Sequence, residues 1–106
     1  MINFRNFKTA PYDVGEMTVV LYAICKLIDN DPQIPKTPYD YENVAKESNR
    51  IASLVGVVER VPDTYDIDIE LTCFQVQRII DKLTVDGKFS IEQIKNACVQ
   101  ESKLHP

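Results

Sequence analysis

The sequence predicts a mainly α fold, a compact four-helix domain that takes up residues 1–106 as one unit. Two observations lead to this prediction. Four segments open with a helix-capping pattern, and each pattern is followed by apolar residues at helical spacing. The length of 106 residues, with 44% apolar and 26% charged residues, is that of one ordinary globular domain.

The tripeptide Pro-Tyr-Asp occurs twice, and each copy predicts a helix start. In the first copy Asp13 is the expected N-cap, and Glu16 stands three residues later, where it completes a capping box. In the second copy Asp40 is the expected N-cap. The helices that follow are expected over residues 14–28 and from Tyr41 onwards.

The end of the second helix has two alternatives in the sequence. The helix either continues through Gly56 until Pro62 stops it, or it ends at Gly56. In the second case "VVERV" forms a strand, which predicts a small β element around residues 57–71. The predicted buried stripe of this helix consists of Val44, Ile51, Leu54, Val55, Val58 and Val61.

Thr72 and Ser90 are the expected N-caps of the third and fourth helices, because Gln75 and Gln93 follow each of them at the third position. The third helix is expected from Cys73 to about Val85, and the fourth from Ile91 to about Ser102. The residues predicted to face inward are Cys73, Val76, Ile79, Ile80 and Leu83 in the third helix, and Ile91, Ile94, Ala97 and Cys98 in the fourth.

Between the second and third helices, apolar and acidic residues alternate from Tyr65 to Leu71, which predicts an extended segment with one buried edge. The net charge of this region is unusual. Residues 59–70 hold five carboxylates and Arg60, so their net charge of −4 equals that of the whole chain. We expect this region to form an anionic edge that contacts a basic surface on a partner. The predicted partner-binding residues are Glu59, Asp63, Asp66, Asp68 and Glu70.

The sequence disfavours an enzyme and predicts no cofactor. Its one histidine is His105, next to the end of the sequence, and three isolated glycines do not form a phosphate-binding loop. The acidic run from Asp63 lacks the glycine and the final carboxylate of an EF-hand loop, with Asp68 and Phe74 at those two places. A carboxylate-based metal-binding protein or enzyme stays as an alternative function.

A second alternative is a nucleic-acid-binding regulator that uses the third and fourth helices as a helix-turn-helix. The outward face of the fourth helix is predicted to consist of Glu92, Gln93, Lys95, Asn96, Gln100 and Glu101. Two carboxylates on this face would repel phosphates, so nucleic acid is disfavoured as a partner.

Three cysteines at wide spacing, with no Cys-x-x-Cys pair, predict reduced thiols and a cytoplasmic location. No apolar run approaches the length of a membrane span. Pro32, Pro35 and Pro38 recur every three residues, which predicts a stiff spacer, while the role of Phe4 and Phe7 stays open. The function predicted is a small, non-catalytic, cytosolic protein-interaction module that acts as an adaptor or inhibitor.

Overall fold

The structure is a computed structural model that describes residues 13–34, 41–62 and 69–104. These residues form four α-helices and no strand, so the predicted mainly α, four-helix fold is confirmed. The Cα radius of gyration is 12.2 Å, close to the value of about 13 Å expected for a compact chain of this length. The helices are α1 (Val14–Leu27), α2 (Tyr41–Val55), α3 (Ile69–Val85) and α4 (Ile91–Leu104).

The capping boxes predicted for α1 and α4 are both present. The Asp13 carboxylate accepts the backbone N–H of Glu16 at 2.8 Å, and the Glu16 carboxylate accepts the backbone N–H of Asp13 at 3.2 Å. At α4, Ser90 and Gln93 exchange the equivalent bonds at 3.1 and 2.8 Å. The cap predicted at Asp40 lies outside the described residues.

The second helix ends at Gly56, which is one of the two alternatives that the sequence left open. Gly56 adopts a positive φ of 85°, and the N–H of Val57 returns to the carbonyl of Ala52 at 2.8 Å. This is the Schellman ending that favours glycine. Residues 57–62 continue without helix or strand, so the described part of the proposed β element contains no strand.

The start predicted for α3 was wrong, because the helix begins at Ile69 and not at Cys73. Thr72 is fully buried within the first turn of the helix and is not its N-cap. The extended conformation expected up to Leu71 is therefore incorrect for residues 69–71, and residues 63–68 of that segment lie outside the described chain. Helical spacing also fits here, since Thr72, Cys73 and Val76 follow Ile69 at three, four and seven residues.

Helix α1 is the most buried element and packs against α2, α3 and α4. Its capping box fixes where it begins, and ten of its fourteen residues are buried. The core also contains every residue predicted to face inward from α3. Within the described residues, no helix combines the length and the apolar character that crossing a membrane requires.

Four side chains lie on the opposite side from the one expected. Leu54 and Val58 were predicted in the buried stripe of α2 but are 54% and 82% exposed. Val58 lies beyond the end of the helix at Gly56, whereas Leu54 lies in its last turn on the solvent side. Ile91, predicted inward, is 47% exposed at the first position of α4. Glu101, predicted outward, is buried.

Candidate functional site

Two of the five predicted partner-binding residues lie in the described chain, and both are exposed. Glu59 belongs to the segment 57–62, and Glu70 belongs to the first turn of α3. A carboxylate in that turn is favoured by the positive end of the helix dipole. Asp63, Asp66 and Asp68 lie outside the described residues. The carboxylates are therefore not one continuous extended row, because Glu70 is helical.

A groove of about 410 Å³ lies between the segment 57–62 and the N-terminal half of α3. Leu71 and Phe74 form its apolar wall on the helix, and they are 46% and 39% exposed. Glu59 and Arg60 line the opposite side. An exposed leucine and an exposed phenylalanine within a charged surround resemble the core and rim of a protein interface.

The segment 57–62 is held in place by the side chain of Asn49, which projects from α2. Its amide nitrogen donates to the carbonyl of Val61 at 2.8 Å, and its amide oxygen accepts the N–H of Val61 at 3.0 Å. Gln75 of α3 donates to the same Asn49 oxygen and to the carbonyl of Glu59, both at 2.8 Å. One side of the groove is thus fixed to both α2 and α3.

Arg78 crosses from α3 to this segment. Its guanidinium lies 2.8 Å from the carboxylate of Glu59, and both side chains are about half exposed. Arg60 is also engaged, since it donates to the hydroxyl of Ser53 at 2.7 Å and to the carbonyl of Val57 at 2.8 Å. The two cations that line the groove are therefore both bound within the chain.

A second groove, of about 300 Å³, lies on the other side of the Glu59–Arg78 pair. Val58 and Val85 line it and are 82% and 83% exposed. Lys82, in the last turn of α3, also lines this groove. Its ammonium lies 3.8 Å from the carboxylate of Asp86, just beyond the helix. The outer surface of α3 therefore carries exposed apolar residues near both of its ends, Leu71 and Phe74 at one and Val85 at the other, with the ion-paired Arg78 and Lys82 between them.

A separate group of polar side chains is buried between α1 and α2. The carboxylate of Glu47 is 1% exposed and is bound by the guanidinium of Arg50. The thiol of Cys25 donates to the same carboxylate at 3.5 Å, while Arg50 also reaches the carbonyl of Asp31 at 3.0 Å. Burial, with the carboxylate of Glu47, raises the pKa of Cys25 to about 12, so this thiol is not an activated nucleophile.

The buried group continues towards α4. The carboxylate of Glu101 is 4% exposed and lies 2.7 Å from the ammonium of Lys26. Burial, with this carboxylate, raises the pKa of Cys98 to about 12. Tyr22 donates its hydroxyl to the carbonyl of Ile34, and burial followed by the two nearby carboxylates raises its pKa. These contacts join three helices and leave no described buried polar side-chain atom without a partner.

The described residues give little support to the other candidate functions. They contain no group of three histidine, cysteine or acidic side chains that could hold a metal ion. The exposed face of α4 keeps five of the six predicted residues, namely Glu92, Gln93, Lys95, Asn96 and Gln100, whereas Glu101 is buried. Comparison with protein-family models, curated proteins and solved structures finds nothing that matches the chain.

Proposed function

We propose that the chain is a non-catalytic protein-interaction module that acts in the cytoplasm as an adaptor or inhibitor. Its contact face comprises the acidic residues 59–70 and the exposed N-terminal half of α3. The observation that carries the proposal is the position of Leu71 and Phe74, which are exposed directly after Glu70 on a groove whose opposite wall is fixed by Asn49. Apolar anchors at the centre of a face, with charges around them, are typical of protein recognition.

The charge of this region points to a basic partner. Residues 59–70 have a net charge of −4, from five carboxylates and Arg60. A basic surface on the partner would be attracted to these residues before contact, and an apolar side chain beside it would enter the groove. The cytoplasmic part of the proposal is supported by Cys25, Cys73 and Cys98, which are buried thiols not joined in disulfides, as in a chain kept in a reducing compartment.

Affinity capture with matched charge variants tests this function. The site variant Asp66→Asn, Asp68→Asn, Glu70→Gln removes three charges within the acidic region. The control variant Asp29→Asn, Asp86→Asn, Glu92→Gln removes three exposed charges elsewhere. A basic partner, identified by mass spectrometry, is expected to be captured by the wild type and the control, and less by the site variant.

A second pair of variants tests the apolar part of the face. Phe74→Ser removes the aromatic anchor, and Val85→Ser removes an exposed apolar side chain from the far end of the same helix. Capture is expected to fall for the first variant only, at unchanged melting temperature. Equal capture by the wild type and both site variants would reject this face as the contact surface.

A further inference from the structure

Five exposed residues form one stripe along the outer side of α3. Leu71, Phe74, Arg78, Lys82 and Val85 follow one another at intervals of three or four residues, and all five are exposed. With 3.6 residues per turn, they fall within an arc of about 80° and extend over about 21 Å of the helix. A second helix packs along residues at this spacing. These five residues are called the α3 stripe.

The α3 stripe is symmetric about Arg78. Leu71 precedes Arg78 by seven residues and Val85 follows it by seven, while Phe74 and Lys82 lie four residues before and after it. Apolar side chains therefore occupy both ends of the stripe, and a cation occupies its centre. Such a stripe matches a second copy of itself in the antiparallel direction, because a two-fold axis at Arg78 brings residues at equal distances from the centre together.

The antiparallel arrangement pairs compatible side chains on both sides of the centre. Leu71 of each copy meets Val85 of the other, which removes both from water. One turn closer to the centre, the ammonium of Lys82 meets the ring of Phe74, a favourable cation–π contact. The ion pair of Lys82 with Asp86 is long, at 3.8 Å, and exposed, so it does not hold the ammonium away from the ring.

At the centre, Glu59 offsets the repulsion between the two copies of Arg78. Its carboxylate lies 2.8 Å from the guanidinium of Arg78 within one copy. A guanidinium has five N–H donors, so each Arg78 can bind the carboxylate of its own copy and that of the second copy. The two-fold axis then lies within a group of four charges in which the signs alternate.

The surroundings of the stripe are also self-complementary. The two grooves along it are lined by three cations and two carboxylates, so neither sign strongly dominates: Arg60, Arg78, Lys82, Glu59 and Asp81. A face of mixed charge is complementary to its own copy, because cations of one copy can lie opposite carboxylates of the other.

The size of the stripe indicates a weak dimer. A helix is about 10 Å wide, so a stripe about 21 Å long covers roughly 200 Å² in projection on each copy. Interfaces that bury less than about 1,200 Å² in total are typical of weak and transient association. We therefore expect a dissociation constant on the order of 100 µM.

We infer that the α3 stripe is an interface between two copies of this chain, which associate as an antiparallel, two-fold symmetric dimer. This inference goes beyond the proposed function. The second copy covers Leu71 and Phe74, so the dimer and the complex with the proposed basic partner exclude each other. At the dilute concentrations of affinity capture the chain is monomeric, and the face is open to the partner.

Sedimentation equilibrium of the purified full chain tests the interface. Between about 10 µM and about 1 mM the wild type is expected to pass from monomer to dimer. Phe74→Ser and Val85→Ser should each weaken the association by roughly tenfold, since each removes two apolar side chains from the symmetric interface. Leu104→Ser removes an exposed apolar side chain from α4 and is the matched control, with unchanged association.

A mixing experiment tests the antiparallel register. Leu71→Lys and Val85→Glu should each prevent self-association, because a charge then faces an apolar side chain at both ends of the dimer. An equimolar mixture of the two variants should associate again. In the mixed dimer the introduced ammonium faces the introduced carboxylate at one end, and the other end keeps Leu71 and Val85. A mixture of Leu71→Lys with Leu104→Glu is the control and should stay monomeric.

Three results would overturn the inference. The first is a wild type that stays monomeric up to about 1 mM, which would leave the α3 stripe to a different protein. The second is a dimer that Val85→Ser does not weaken, and the third is a mixture of Leu71→Lys and Val85→Glu that stays monomeric. Each measurement uses the purified chain alone, so failure of this inference and failure of partner capture are distinguishable.

Discussion

The ammonium of Lys26 on α1 lies 2.7 Å from the carboxylate of Glu101 on α4, and the carboxylate is 4% exposed while the lysine side chain is 58% exposed. The pair therefore links the central helix to the last one, with the charge of one partner removed from water. Its contribution to stability should lie between that of a surface pair and that of a fully buried pair.

Lys26→Met is expected to lower the free energy of unfolding by about 2 kcal/mol, because the buried carboxylate of Glu101 loses its ion pair with the Lys26 ammonium. Adding Glu101→Gln to this variant should recover part of the loss, since the buried charge at position 101 is then removed. Urea denaturation measures both. Lys95→Met removes the same charge from an exposed position on α4 and should change stability little; an equal loss in this control would contradict the explanation.

Stability should fall with rising pH above the ordinary pKa of the cysteine thiols, 9.0. The pKa values of Cys25 and Cys98 are raised to about 12, so between these limits the unfolded chain loses two protons that the folded chain keeps. The stabilising effect of the neutral thiols is therefore complete below pH 9 and is lost as pH approaches 12. The expected slope reaches about 1.4 kcal/mol per pH unit for each thiol.

Urea midpoints between pH 8 and pH 11 measure this slope. The double variant Cys25→Ala, Cys98→Ala should lose most of it. The remainder should come from Tyr22, because burial raises the pKa of its hydroxyl. This group therefore also lowers stability as the pH rises above its ordinary pKa of 10.0. A midpoint that is level from pH 8 to pH 11 in the wild type would show that the thiols titrate normally.

Removal of either confirmed N-cap should destabilise the protein by about 1 kcal/mol, because a first-turn backbone N–H loses its acceptor. Asp13→Ala tests the cap of α1, where the bond to Glu16 is 2.8 Å, and Ser90→Ala tests the cap of α4. Asp13→Asn and Ser90→Thr keep an acceptor and should cost less. Thermal unfolding compares each pair, and equal losses within a pair would exclude capping as the cause.

The helix starts at Asp13 and Ser90 could be predicted because a capping box is a local pattern that needs no tertiary contact. The start of α3 could not, because residues 65–71 satisfy a period of two while Ile69, Thr72 and Cys73 also satisfy helical spacing. Only packing against α1, where Cys73 meets Met17, decides between the two periods.

The burial of Glu47 and Glu101 was not predicted from the sequence, for a different reason. Glu101 follows Ile94 by seven residues, and Glu47 follows Val44 by three, so spacing alone places both on apolar stripes. A charge at such a position is ordinarily assigned to the surface, since burial is costly without a partner. The partner of Glu101 is Lys26, which comes from a tertiary contact that spacing does not reveal. The partner of Glu47 is Arg50, three residues later on the same helix, so helical spacing could have indicated this pair.

The segment that forms one side of the candidate groove should depend on Asn49. This side chain both donates to the carbonyl of Val61 and accepts its N–H, and it also accepts a hydrogen bond from Gln75. Asn49→Ala removes all three bonds and should lower the free energy of unfolding by about 2 kcal/mol. The backbone amide of Val61 should then exchange its hydrogen faster.

Asn49→Asp separates the two bonds to Val61. A carboxylate still accepts the N–H of Val61 and the amide of Gln75, but it cannot donate, and it faces the carbonyl of Val61 as a second acceptor. The variant should therefore lose stability while the Val61 amide stays protected, in contrast to Asn49→Ala. Hydrogen exchange followed residue by residue distinguishes the two. If the Val61 amide exchanged equally fast in both variants, or in neither, Asn49 would not be the residue that holds this side of the groove.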